Sequence, residues 1–288
     1  MVHFEDIQSS LKEFKSILVN SPDSKHLLVT GDCLEVMDRI PSESVDVIIT
    51  DTIYNKDIPY KSNKFNDRMK PEEYFKWSEQ WLEKCARLLK ADGTMFIINY
   101  PEINARLLTF LDENQEKLNL KFRNWLVWHY PTNTGHSKKN FTRSHRSILF
   151  YTKGDNYKFF RQNIIQHYKN PEVEKIKKRL KEGSKGRSSY NLLRFLDLVE
   201  IQKGMIDVLD INLLKNVCKD RMKGHPCQLP ISLLELLIKV SSKKGDTVFD
   251  PFAGTFTTSY AAKKLGRNSI GIDIEPKFVK MGLQRLKL

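Results

Sequence analysis

The chain has 288 residues, with 48 Lys and Arg against 35 Asp and Glu and a formal net charge of +13. That length buries a sizeable core, as one α/β domain with an insertion or as two domains. The charge points to a polyanionic partner, because Lys and Arg gain affinity for phosphates by releasing condensed counterions. Cys33, Cys85, Cys218 and Cys227 stand far apart without a CxxC pair, which speaks against a zinc site or a disulfide framework. The amino terminus, MVHFEDIQSSLKEF, carries acids, and no later run approaches the roughly 20 apolar residues that cross a bilayer. The expectation is a soluble, cytoplasmic protein with reduced thiols.

In chain order, FEDIQSSLKEFKSIL sets Ile7, Leu11, Phe14 and Leu18 at spacings of three and four, which predicts a short amphipathic helix packed as an appendage. HLLVTGDCLEVMDRI and VDVIIT read as strand, turn, helix, strand. PEEYFKWSEQWLEKCARLLK places Tyr74, Trp77, Trp81, Cys85 and Leu88 on one helical face, started by Pro71 and stopped at ADG, before the buried strand TMFIIN. This alternation predicts a mostly parallel sheet covered by helices on both faces. WLVWHY and RSILFYT, rich in aromatic and branched residues, read as two further strands of the same sheet. From about Lys153 to Lys223 the composition turns basic, and Gly183 and Gly186 suggest a break into a mobile loop. From HPCQLP onward the order is helix, strand, glycine turn, helix, and a strand ending in an acid.

At ITDTIYN an apolar run stops on Asp51, with Tyr54 close behind. A strand leaving a core often ends on Asp simply to begin a turn, so this motif alone decides nothing. In DTVFDPFAGTFTTSYAAKKLG, Asp250 ends a strand, Gly254 permits a tight turn, and hydroxyl residues lead into a helix. Such a turn brings backbone N–H groups up against a ligand. SIGID then places Asp273 about 20 residues on, where an acid holds ribose hydroxyls. Together these predict a nucleoside-containing cofactor. The GxGxxG of a nicotinamide site is missing, and Phe256 stands where a pyrophosphate would want a smaller residue. The cofactor expected is S-adenosylmethionine, which has no phosphates.

The motif order resembles that of the exocyclic-amino DNA methyltransferases of bacterial restriction and modification systems, in their β-type arrangement. That family has a D-P-P-Y type catalytic motif first, a variable target-recognition segment next, and H-P-x-Q-x-P and F-x-G-x-G last. Here these read DTIY at Asp51 to Tyr54, the basic segment, HPCQLP at His225 to Pro230, and FAGTF at Phe252 to Phe256. The likeness covers the chain from about Leu27 onward. It departs at Thr52 and Ile53, which replace two prolines, at Phe256, which replaces the second glycine, and at Leu229, which replaces a frequent lysine.

The resemblance implies a Rossmann-like α/β fold with permuted motif order and a catalytic group of Asp51, Thr52, Ile53 and Tyr54. An exocyclic amine is a poor nucleophile because its lone pair is delocalised into the ring. Asp51 and the Thr52 backbone carbonyl would take its hydrogens and favour the form that attacks a methyl sulfonium, while Tyr54 would stack on the flipped base. The cofactor pocket implied comprises Asp32, Cys33, His225, Gln228, Asp250, Phe252, Ala253, Gly254, Thr255, Thr257 and Asp273, with Asp32 otherwise readable as a plain helix cap. The DNA contacts expected are Lys138, Lys139, Arg143 and Arg146 in HYPTNTGHSKKNFTRSHRS, and Lys177, Lys178, Arg179, Lys185 and Arg187 in the basic segment. His136 and His145 have no metal-ligand partners at useful spacing, and no metal is expected.

The chain divides on this reading into a helical appendage (1–26), a catalytic half (27–153), a basic target-recognition insertion (154–223) and a cofactor-binding half (224–288). The function expected is methyl transfer from S-adenosylmethionine to adenine-N6 in double-stranded DNA, with a cognate restriction endonuclease acting on the same site. Adenine is preferred because cytosine-N4 members of the family usually begin the motif with Ser. Cytosine-N4 transfer and a catalytically silent DNA-binding homologue are the alternatives. The sequence leaves monomer and homodimer open.

Overall fold

The computed structural model describes residues 2–58, 60, 67–130, 139–168, 170–188, 192–193, 222, 224–225 and 227–287. Its sheet begins where a helix was expected. Helix α1 (Phe4–Ser10) stops at Ser10, and strand β1 (Lys15–Ser21) pairs antiparallel with β2 (Ser24–Thr30), from Lys15↔Thr30 to Ser21↔Ser24. Leu18 therefore lies in a strand, not on a helical face with Ile7 and Leu11. Pro22 and Asp23 form the two-residue turn between the strands, and this turn chemistry, together with the ladder that β2 offers, overrides the helical spacing. Phe4, Ile7 and Leu11 are buried in the main core. Residues 2–26 are thus packed into the sheet and core, and the boundary expected after residue 26 falls inside β2.

Helix α2 (Cys33–Arg39) leads into β3 (Val45–Asp51), and α3 (Pro71–Leu88) into β4 (Leu89–Asn99). On α3, Tyr74, Trp81, Cys85 and Leu88 are buried and Trp77 is half-buried. The ADG expected to end α3 lies inside β4 instead. The β3–β4 register passes from Val45↔Leu89 to Val47↔Thr94, so a bulge holds the residues between. Both central strands show period-two burial under two covered faces: Val47, Ile49, Phe96 and Ile98 enter one core, Ile48, Met95 and Ile97 the other.

The chain continues through α4 (Pro101–Glu113), α5 (Gln115–Leu118), β5 (Leu120–His129) and β6 (His145–Lys153). The basic segment holds α6 (Glu174–Lys181), the two-residue strands β7 (Ile165–Gln166) and β8 (Arg187–Ser188), and β9 (Leu192–Leu193). Gly183, at φ +87°, ends α6, with Ser184 N–H returning to the Arg179 carbonyl at 2.9 Å. The last part is α7 (Ile231–Ser241), β10 (Thr247–Asp250), α8 (Thr257–Lys264), β11 (Asn268–Asp273) and α9 (Pro276–Leu286). Helices α1 to α5 pack in one core, and α7 and α8 in the other. Among the described residues, no helix is long and apolar enough to cross a membrane.

The nine strands run in the order β1-β2-β11-β10-β3-β4-β6-β5-β9. β2, β11, β10, β3 and β4 are mutually parallel, while β6 is antiparallel to β4. Parallel strands present all their carboxyl ends on one edge, so Asp51, Asp250 and Asp273 end there and Asp32 and Tyr100 follow within two residues. Because β6 runs the other way, its first residues, His145 and Arg146, arrive at the same edge. From adjacent β3 and β10 the chain departs in opposite directions, to β4 and to β11, which opens the crevice where sheets of this kind bind ligands.

Candidate functional site

The turn after β10 is wired by the carboxylates that end the strands. Asp250 accepts the Phe252 N–H at 3.0 Å and the Thr258 hydroxyl at 2.6 Å. Asp273 accepts the Gly254 N–H at 2.9 Å and the Glu275 N–H at 2.8 Å, so the acid closing β11 is tied directly to the glycine of the turn. Gly254 has φ +50°, and a Cβ on it would lie 3.0 Å from the His225 ring. Burial pushes the Asp250 and Asp273 carboxyls up to about 7 against these hydrogen bonds. Asp32 caps α2 through the Leu34 N–H at 2.8 Å, as the plainer reading has it, and also faces the cavity described next.

These residues enclose a cavity of about 370 Å³, a size suited to a small molecule. All eleven residues expected at a cofactor pocket line it: Asp32, Cys33, His225, Gln228, Asp250, Phe252, Ala253, Gly254, Thr255, Thr257 and Asp273. It extends to Asp51 and Ile53 at the end of β3. Sequence reasoning missed Tyr60 and Phe278, which carry no motif, and Cys227, although it stands between His225 and Gln228 in HPCQLP, and knew Trp77 only as a core residue of α3. Among the described residues the lining contains four aspartates and no Lys or Arg. A phosphate group would find no cation there, whereas a nucleoside carrying positive charge fits.

Phe256 does not line the cavity. It sits at φ +56°, ψ +37°, where a residue with a Cβ is disfavoured by roughly 1 kcal/mol. Its ring is buried with Leu28, Val279 and Leu286. Gly271 and Gly282 make room for that ring, since a Cβ on either would come within 2.6 and 2.3 Å of it. The aromatic in place of a glycine is therefore absorbed on the side away from any ligand.

At the far end Asp51 is half-buried, and the Tyr54 hydroxyl donates to its Oδ1 at 2.7 Å. Burial pushes the Asp51 carboxyl up to about 6, with the Arg146 charge and the Tyr54 hydrogen bond pulling the other way. Prolines would stiffen this stretch by fixing φ. Here hydrogen bonds hold it. The Tyr74 hydroxyl donates to the Ile53 carbonyl at 2.7 Å, and Asp67 accepts the N–H groups of Asn55 (2.8 Å), Lys56 (3.3 Å) and Ile58 (2.7 Å). Asn55, at φ +52°, adds a reciprocal pair with the Met69 backbone at 2.7 and 2.8 Å. Asp67 was missed in the sequence, where NDRM carries no motif; Asn55, a residue type that tolerates positive φ, was the available signal.

Tyr54 is only 2% exposed. The Arg146 guanidinium lies 4.1 Å over its ring and 4.4 Å over that of Tyr100, whose centroid is 4.9 Å from that of Tyr54. The aromatic face expected to receive a base is thus covered by Arg146 in this structure. Arg146 is buried, and its Nε and Nη1 have no hydrogen-bond partner among the described residues. Arg143 lies over the outer part of this wall, 4.1 Å from the Tyr100 ring, and pairs with Glu102 at 2.8 Å.

The cations expected to meet DNA fall into two groups. Arg143 and Arg146 stand at the Asp51 end, with Lys139 earlier in the same loop. Lys177, Lys178 and Arg179 lie on α6, which buries none of its residues, with Lys185 and Arg187 just beyond it. Lys177 pairs with Glu174 at 3.6 Å. Lys138 lies outside the described residues.

The chain as a whole has counterparts among known proteins. The N6/N4 DNA methylase family matches residues 45–284. DNA adenine methyltransferase YhdJ of Escherichia coli (strain K12) is 32% identical over 260 residues, covering 90% of this chain and 82% of that protein. Type II methyltransferase M.HpaI of Haemophilus parainfluenzae is 28% identical over 259 residues, 90% of this chain and 73% of that protein. The solved M1.HpyAVI–SAM complex shares the fold with a TM-score of 0.60 at 21% identity, covering 91% and 98% of the two chains. On the extent of the family match and of the likeness to YhdJ, this chain belongs to the N6/N4 DNA methylase family.

Proposed function

We propose that the protein transfers the methyl group of S-adenosylmethionine to N6 of adenine in double-stranded DNA. The observation that carries this is the cavity: four aspartates and no Lys or Arg among its described lining, running from Asp273 to Asp51. When bound, S-adenosylmethionine supplies an electrophilic methyl group on a positively charged sulfur. Asp273 and Asp32 would hold its nucleoside, and His225 with Gln228 its amino-acid end. Asp51 and the Thr52 carbonyl accept the amine hydrogens of the target base. Transfer of that methyl would break its bond to sulfur and leave a neutral thioether, and the methylated amine would lose one proton, which Asp51 would take. Adenine is supported by the Asp that opens the motif and by the name of the relative YhdJ. The segment 154–223 serves as the target-recognition region, with the α6 cations on phosphates. A restriction endonuclease of the same specificity is the partner that the name of M.HpaI suggests.

The covered face of Tyr54 favours a second reading, a DNA-binding homologue without turnover. One experiment separates the two. Purified protein is incubated with labelled S-adenosylmethionine and unmethylated genomic DNA, and the nucleosides are identified after hydrolysis, with Asp51→Ala alongside. Label in N6-methyladenine that vanishes with Asp51→Ala is the expected result. Label in N4-methylcytosine changes the base and keeps the chemistry. No label with cofactor binding intact makes the protein a binder.

A further inference from the structure

Phe141 has surroundings unlike those of any other large apolar side chain among the described residues. Phe122, Phe159, Val173 and Leu180 reach solvent but are only 41%, 42%, 49% and 40% exposed, whereas Phe141 is 98% exposed. A half-covered apolar residue on a surface is ordinary, but a phenyl ring without neighbours leaves its whole apolar area in water. The ring stands in Lys139-Asn140-Phe141-Thr142-Arg143, flanked by the cationic, amide and hydroxyl side chains that meet a phosphate backbone.

The foot of this loop is fastened to the base side of the site. The Tyr130 N–H donates to the Ser144 carbonyl at 2.7 Å. Arg143 lies over Tyr100 and pairs with Glu102, and Glu102 also meets Lys56, from the loop after Tyr54, at 3.5 Å. A single residue, Thr142, separates the bare ring from the guanidinium that covers the outer wall of the Asp51–Tyr54–Tyr100 group.

We propose that Phe141 is the wedge of base extrusion: its ring enters the duplex stack beside the target nucleotide and fills the gap left when that base moves to Asp51. The proposal rests on the methyltransferase reading of the site. Taking a base out of a duplex costs its stacking and pairing. An apolar side chain inserted at the vacated step restores a stacking partner, and an aromatic ring does so without reading sequence, because every base has a π-face. Lys139 and Arg143 flank the ring where the phosphates on either side of the opened step would lie. The area that Phe141 exposes in the free protein becomes buried in the complex.

The test uses the full chain and a site mapped on genomic DNA methylated by the wild-type protein. Two duplexes carry that site, one fully paired and one mismatched opposite the target base, where extrusion is already less costly. Phe141→Ala is expected to lower kcat/KM on the paired duplex by about 10- to 100-fold, and by no more than about threefold on the mismatched one. Melting temperature and cofactor affinity stay at wild-type values, and Phe141→Trp restores the paired-duplex rate. Equal losses on both duplexes, or no loss on the paired one, overturn the proposal. If the wild-type protein labels no DNA, the methyltransferase reading itself fails and the wedge falls with it.

Discussion

Around the turn after β10, Asp250 and Asp273 each have donors on both carboxylate oxygens within 3.0 Å. At the Asp51 end, Arg146 keeps two nitrogens without partners among the described residues, the Thr52 hydroxyl is buried without one, and Phe141 touches almost nothing. A buried donor left unpaired costs about 1–3 kcal/mol, more for a charged group. The two carboxylates of the cofactor turn are therefore satisfied in the free protein, while the Asp51 end carries a cost that an incoming ligand would offset. On the proposed function, one half receives a molecule that fits a preformed hole, the other a base that arrives from a duplex and must displace or satisfy what is there.

Removing Asp51 breaks the comparison most sharply. Asp51→Ala is expected to lower methyl transfer by roughly 10²- to 10³-fold, while calorimetric affinity for S-adenosylmethionine changes little, because the cavity continues well beyond that residue. Loss of cofactor binding in this variant would mean that the two halves are not separable.

Their legibility follows the same division. Asp250, Gly254 and Asp273 lie within one strand–turn–helix–strand unit, and their contacts are close in the chain, so spacing alone placed them. The base side draws Asp51 from β3, Tyr100 from the end of β4 and Arg146 from β6. Nothing local brings Tyr100 to Tyr54, since the β3–β4 pairing does it from Asp51↔Ile98, and the β4–β6 pairing, at Asn99↔Ser147, adds Arg146. Asp67 was illegible for a similar reason: its value lies in three N–H groups 9 to 12 residues earlier, held by a loop with no repeat or motif. At the amino terminus the failure was different. The spacing of Ile7, Leu11, Phe14 and Leu18 suited a helix, and the Pro-Asp turn that sets the hairpin register was passed over.

The next largest effect concerns what stiffens the cofactor turn. Phe256→Gly relieves a left-handed backbone, worth roughly 1 kcal/mol, but empties a buried aromatic site, which costs about 3–5 kcal/mol in comparable truncations. A net loss of about 2–4 kcal/mol in chemical denaturation is expected, with little change in cofactor affinity. Gly282→Ala sharpens the point. Its new Cβ clashes with the Phe256 ring in the native background, and fills part of the vacated space in Phe256→Gly, so its effect on stability reverses sign between the two. A constant effect would show that the ring and the glycine are not coupled.

Smaller again is Asp273→Asn, which removes the charge and keeps one acceptor oxygen for the turn. Cofactor affinity is expected to weaken by about 10- to 100-fold, the value of hydrogen bonds to a charged group. The turnover rate at saturating cofactor stays within about threefold of wild type. A fall in turnover with unchanged affinity would move Asp273 from the holding half to the reacting half.

The smallest effect is a shift in pH dependence, and it asks whether Arg146 acts on Asp51 at all. Asp51 must be ionised to accept an amine hydrogen and a proton. With its carboxyl pushed up to about 6, the rate is full well above that pH and falls as pH drops through it. Arg146 is the cation opposing that rise, so Arg146→Met raises the Asp51 pKa further and moves the acid limb of kcat/KM to higher pH, by about one pH unit. Arg146→Lys keeps the charge and leaves the limb in place. Tyr54, Tyr60, Tyr74, Tyr130 and Cys227 also face Asp51, but all are pushed upward and stay neutral across this range. Asp250, pushed up by burial to about 7, is the other carboxyl coupled to Asp51, and its own balance is set by Thr258 and the Phe252 N–H. An acid limb that moves with Arg146→Met and stays with Arg146→Lys therefore belongs to Asp51, whereas one that ignores both belongs to the cofactor turn, where burial pushes Asp250 and Asp273 alike up to about 7.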